Sequence, residues 1–215
     1  MTDSVITDNT GEESEVDEAK RAFDEKVYGL CICLMSDAIV FALLLATFMV
    51  MSHNPTDGPG GQPLSVRLPQ TVAQTVLLLA SSATFAVAGV AIAARQRGRT
   101  LAWLSATFLL GLGFIAIEIS QLYGMAAANA GPWRSGLLSA FFTVVGAHGT
   151  HVSIGLLWIV LLVGEVALRG LNPFAVSRLS RLGLFWHFLV IVWISIVSIV
   201  DLPEILEHAG SAANG

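Results

Sequence analysis

A chain of 215 residues that is 54% hydrophobic and only 13% charged, with a net charge of −5, departs from soluble domains, where about a quarter of residues are charged. With a mean hydropathy of +0.72, it excludes a soluble globular fold and reads as an all-α polytopic membrane protein; no nucleic-acid partner is expected.

The first 26 residues form an acidic segment. Nine carboxylates fall within the first 25 positions, among them Glu12, Glu13, Glu15, Asp17 and Glu18, against Lys20 and Arg21. Such a segment is expected to be a solvated, disordered tail. It has neither the basic start nor the short apolar stretch of a secretory signal, so the helix beginning near Val27 is expected to stay as an anchor. Cys31 and Cys33 point to different sides of that helix, which favours small-residue packing over chelation.

Crossing a hydrocarbon layer of about 30 Å takes about 20 apolar residues at about 1.5 Å each. Five stretches qualify, 27–51, 71–94, 101–126, 137–168 and 182–202, within a transmembrane domain of residues 27–206. Residues 207–215 follow as a short external tail. The fourth stretch exceeds the bilayer thickness and should tilt or protrude. The Gly- and Pro-rich segment His53 to Pro69 reads as a loop. Arg95 to Thr100 is so short that the second and third spans must form an antiparallel hairpin. Nine Lys and Arg residues fall in the tail and in the second and fourth connections, against Arg67 and Arg134 on the other side. This predicts a cytoplasmic N-terminus and a periplasmic C-terminus.

Ionisable groups inside a span are costly, so each is a candidate for function. Asp37, Glu118, His148, His151 and His187 qualify. Counting from the cytoplasmic end of each span places Glu118 and His151 about 26 Å up and His148 about 30 Å up, with Asp37 at about 15 Å and His187 at about 7 Å. A hydrogen bond or ion pair from Glu118 to His148 or His151 is therefore expected, with Asp37 and His187 out of reach of that pair. A di-iron bundle site needs more carboxylate and histidine ligands than these. A bis-histidine haem needs rings facing each other at one depth, whereas His148 and His151 share one helix. The favoured reading is histidines satisfied by hydrogen bonds.

Gly146, Gly149, Ser153 and Gly155 give the fourth span a small-residue surface, suited either to packing inside the bundle or to a partner chain. Trp133, Trp186 and Tyr123 near span ends read as interfacial anchors. No internal repeat of the transporter kind is evident.

The stretch Leu34-Met-Ser-Asp-Ala-Ile-Val-Phe41, the run Gly113-Phe-Ile-Ala-Ile-Glu118, the block Arg134 to Phe142, Gly146-Ala-His-Gly-Thr-His151 and Phe185-Trp-His-Phe188 together resemble subunit III of the haem-copper terminal oxidases, in particular the five-helix form of bacterial bo-type ubiquinol oxidases. The resemblance covers about Tyr28 to Asp201. It implies a non-catalytic subunit of a proton-pumping oxidase in a bacterial inner membrane, working beside subunits I and II and a small subunit IV. Haem and copper would reside in subunit I, and quinol would be the substrate of the complex. This chain would hold no cofactor or metal of its own, would bind phospholipid between its helices, and would support assembly and sustained proton uptake. Asp37 matches the family's buried carboxylate on that helix. Glu118, His148, His151, Trp186 and His187 match its other buried polar positions, while Val190 stands where the family has an aspartate. The alternatives are the same subunit in a cytochrome c oxidase and an independent proton-coupled transporter.

Overall fold

A computed structural model describes residues 3–53, 68–127 and 131–200. It is all-helical: α1 Asp3–His53, α2 Leu68–Ala93, α3 Arg97–Ala127, α4 Gly136–Arg169 and α5 Pro173–Val200. Each contains a stretch long and apolar enough to cross a membrane, so the chain is a multi-pass membrane protein. Most of the external loop and the C-terminal tail of the sequence reading lie outside the described residues.

The helix ends follow from local chemistry that hydropathy does not register. Ser135 caps α4, its hydroxyl accepting from the Leu138 N–H at 3.2 Å, and Gly170, at φ 75°, closes the other end with its N–H on the Val166 carbonyl. Arg97 at the start of α3 donates to the carbonyl of Ala167 in the last turn of α4. The α2–α3 hairpin turns on Arg95 at φ 53°, with the N–H groups of Arg95 and Gln96 on the carbonyls of Ile92 and Ala91. This is the paired closure of a Schellman turn, with arginine in the place glycine usually takes. Asn172 caps α5 by accepting from the Ala175 N–H at 2.8 Å, and Pro173 fills the first helical position. α5 thus starts nine residues before the apolar stretch expected from Leu182. Where the charge of the first 26 residues predicts a disordered tail, the structure carries α1 back to Asp3. Residues 12–26 are rich in Glu, Ala and Lys, and extending a helix already nucleated by a span costs little.

The chain divides at Asp37 into a first unit and a second unit from Ala38 onward. The first consists of the beginning of α1. In the second, α2 packs on α3, α3 on α4, α4 on α5 and α5 back on α2, closing a four-helix ring. Residues 38–53 of α1 join α4 through aromatic side chains: Phe48 packs with Phe141 and Val145, and the Phe41 ring lies 5.3 Å from that of His151.

Trp186 is the centre of the ring. It is 1% exposed, and its indole N–H donates to the Ser81 hydroxyl of α2 at 3.2 Å. Its ring lies against Gly155 of α4, where a Cβ would come within 2.9 Å, and against Gly111 of α3, where a Cβ would come within 3.1 Å. The expectation of an interfacial anchor is therefore corrected for Trp186. The start of α5 at Pro173 moves this residue well inside the helix, and two glycines open a slot for it. Trp133, by contrast, is 74% exposed.

Of the four small residues on α4, Gly149 and Gly155 are tight contacts within the chain, whereas a Cβ on Gly146 would meet nothing within 4 Å and Ser153 is exposed. Gly155→Ala is accordingly expected to lower stability by about 1–3 kcal/mol through overpacking, and Gly146→Ala to change it by less than about 0.5 kcal/mol. Thermal unfolding of both variants in one detergent checks the contrast.

Candidate functional site

Buried polar side chains come from α2, α3 and α4. Glu118 on α3 is 2% exposed, His148 on α4 is fully buried and Gln74 on α2 is 1% exposed. The Glu118 carboxyl reaches across to α4 and lies against the backbone of Gly149, where a Cβ would come within 2.9 Å of its Cδ. Glycine there is what lets a carboxyl group sit between two packed helices.

His148 faces α5. Its Nε2 lies 3.2 Å from the Leu189 carbonyl, and because a carbonyl only accepts, Nε2 carries the proton and Nδ1 is left as an acceptor. Aromatic rings enclose it: Trp193 at 5.1 Å, Phe114 at 5.6 Å and Phe41 at 6.5 Å. His151, one turn on, donates from Nδ1 to the Ala147 carbonyl at 2.7 Å. The expected bond from Glu118 to one of these histidines is not made, since each ring turns to a carbonyl and the carboxyl points at Gly149 between them. Glu118 Oε2, His148 Nδ1 and Gln74 Nε2 are buried atoms with no hydrogen-bond partner among the described residues.

Depth counting also needs correction. From Val27, Phe41 comes out only about 21 Å up, below the level assigned to the histidines, yet its ring touches both. Counting His187 from Pro173 instead of Leu182 raises it to about 21 Å above the start of α5. His187 is not buried in this chain: it is exposed on the surface of the ring, with Nδ1 2.9 Å from the Ser82 hydroxyl of α2. Asp37 is half-buried on α1. Val190, in the place of the family's aspartate, is a buried core residue, 7% exposed.

Reading only ionisable residues missed Gln74 and the hydroxyl bonds between helices. Thr84 and Thr107 join α2 to α3 at 2.9 Å, and the Trp193 indole donates to Thr75 at 3.1 Å. The signal was present, since a glutamine in an apolar span has the same need for a partner. Near the other end, Arg178 pairs with Glu165 at 2.9 Å and ties α5 to α4.

These side chains do not suit a haem. His148 is walled in by three rings, and His148 turns to α5 while His187 turns to α2, so among the described residues these two imidazoles do not face a shared gap. Among the described residues, no three His, Cys, Asp or Glu side chains cluster as a metal site. The arrangement offers directed hydrogen bonds and tight helix contacts. Gly149→Leu is expected to destabilise the chain by about 1–3 kcal/mol. Adding Glu118→Ala should recover part of the loss, with a coupling of about 0.5–3 kcal/mol between the two sites, as read from thermal unfolding of the single and double variants.

Comparison with known proteins bears on what this bundle is. A family model described as cytochrome c oxidase subunit III matches residues 12–201. Cytochrome bo(3) ubiquinol oxidase subunit 3 of Pseudomonas aeruginosa is 39% identical over 206 residues, covering 94% of this chain and 98% of that protein. The protein of the same name from Pseudomonas putida is 42% identical, covering 84% and 86%. Cytochrome c oxidase subunit 3 of Bacillus sp. (strain PS3) is 34% identical, covering 82% and 85%. With the family model spanning nearly all of its length and end-to-end relatives well above 30% identity, this chain belongs to the cytochrome c oxidase subunit III family of haem-copper oxidase subunits.

Proposed function

We propose that this chain is the non-catalytic subunit III of a proton-pumping terminal oxidase that passes electrons from ubiquinol to oxygen in a bacterial inner membrane. The observation that carries this reading is the match to subunits named for ubiquinol oxidases at 39% identity over 94% of this chain and 42% over 84%, above the 34% and 35% matches to subunits named for cytochrome c oxidases. On this reading haem and copper belong to subunit I, with subunit II and a small subunit IV completing the complex. The chain stands with its N-terminus in the cytoplasm, a placement supported by its bias of Lys and Arg.

Its contribution is structural and protonic rather than redox. Asp37, Glu118, His148 and His151 are the ionisable groups through which it would keep proton uptake by subunit I effective. A phospholipid chain would occupy the cleft of about 250 Å³ between Leu44, Thr47 and Met51 of α1 and Gly136, Ser139, Ala140 and Thr143 of α4. Small side chains wall this cleft on the α4 side, which suits a flexible acyl chain. Trp133 would anchor the outer interface.

The reading is tested by affinity purification of the tagged chain in mild detergent, followed by haem absorbance and oxygen consumption with quinol or reduced cytochrome c as donor. Co-elution of haem with quinol-dependent oxygen uptake is expected. Uptake with cytochrome c alone would move the chain to the other branch of the family, and a colourless chain eluting alone would refute the reading. In the assembled complex, Asp37→Asn is expected to leave subunit content intact while turnover or proton pumping declines over prolonged assay; activity that holds steady over the same period counts against the role given to Asp37.

A further inference from the structure

Three side chains sealed inside the bundle each carry a polar atom that meets no hydrogen-bond partner among the described residues: Gln74 Nε2 on α2, Glu118 Oε2 on α3 and His148 Nδ1 on α4. The residues are 1%, 2% and 0% exposed. Leaving such an atom unmet is costly, and buried polar groups are as a rule hydrogen-bonded. Gln70 Oε1, one turn earlier on α2, is also unmet, but in a half-buried residue nearer the helix end.

Contacts between the helices bring these three to one level. From the 2.9 Å bond between Thr84 and Thr107, Gln74 lies back along α2 and Glu118 forward along antiparallel α3, about 15 Å and about 17 Å toward the same end of the bundle. Phe114, one turn before Glu118 on the same face of α3, has its ring 5.6 Å from that of His148 and 4.8 Å from that of Trp193. The Trp193 indole donates to Thr75, next to Gln74, and its ring lies 5.1 Å from that of His148. Glu118 Oε2 would stand 3.1 Å from a Cβ on Gly149, the residue after His148.

The hydrogen-bonding roles are complementary to one small molecule. The amide nitrogen of Gln74 only donates. His148 Nδ1 accepts, because Nε2 holds the ring proton for the Leu189 carbonyl, and a carboxyl oxygen of Glu118 accepts. Two acceptors do not bond each other, and an amide N–H repels a cation. Water fits this set, since it accepts one hydrogen bond and gives two, and buried waters typically make about three. We propose that Gln74, Glu118 and His148 form an internal water-binding site, in which one water accepts from Gln74 Nε2–H and donates to Glu118 Oε2 and His148 Nδ1. The water gives the buried carboxyl and imidazole a shared contact in place of the direct bond that they do not make, and it links α2, α3 and α4. The site lies wholly within this chain and goes beyond the function proposed above, so the failure of that reading would leave it standing.

The test is a density map of the full chain, purified with whatever partners it retains and embedded in lipid, at a resolution that shows ordered water elsewhere between its helices. The expected result is a peak about 2.6–3.2 Å from at least two of Gln74 Nε2, Glu118 Oε2 and His148 Nδ1. A Gln74 amide bonded directly to Glu118 or His148, or no peak at this position while other buried waters are seen, would overturn the proposal. In Gln74→Leu the peak is expected to be lost while the bonds from Thr84 to Thr107 and from Trp193 to Thr75 remain. A peak of unchanged strength in that variant would remove Gln74 from the site and overturn the proposal as well; if the variant does not fold, the wild-type map alone decides.

Discussion

The bundle depends on one side chain and the space made for it. Between membrane helices there is no hydrophobic drive toward association, because lipid tails are as apolar as leucine, so shape and interhelical hydrogen bonds have to hold the helices. Trp186 meets both needs. Its ring occupies the slot between Gly111 and Gly155, and its N–H reaches Ser81, so one indole touches α2, α3 and α4 from α5. The same device recurs nearby: Gly183 of α5 lies where a Cβ would come within 2.8 Å of the Phe85 ring of α2, and Trp193 donates to Thr75. α2 is the helix that these bonds repeatedly engage, which explains why hydroxyl residues are placed along it.

With the frame held in this way, the ionisable groups fall into distinct environments. Glu118 and His148 are sealed between helices, and the histidine is tied to a backbone carbonyl. His187 is fixed by a serine but turned outward. What these helices present is a set of placed polar atoms and exposed surfaces. Buried groups with unused hydrogen-bonding capacity make up the first, and the exposed imidazole of His187 belongs to the second.

The five spans were legible because hydropathy is a sum over some twenty residues, and single misplacements do not change the sum. Their ends were less so. The start of α5 is set by Asn172 and Pro173, a polar cap and a residue preformed for the first turn, and both signals sit outside the apolar stretch. With that shift of nine residues Trp186 lies well inside α5, where it is 1% exposed and packed against Gly111 and Gly155. The level shared by Glu118, His148 and His151 came from counting residues along helices. Counting fixes height and leaves direction open, and the carboxyl proved to face Gly149 while the imidazoles turned to carbonyls.

Composition and periodicity by themselves determined that the chain is helical, crosses the membrane five times and carries few ionisable groups inside, because lipid leaves a buried backbone no partner but its own helix. The run of motifs from Leu34 to Phe188 pointed to the family. Only the tertiary structure decided which glycines are slots and which are open surface, which histidine is sealed and which is presented, and what each polar atom bonds. Those outcomes depend on the rotation of each helix about its axis, and that rotation is set by contacts between side chains far apart in sequence, such as Trp186 with Ser81, Gly111 and Gly155.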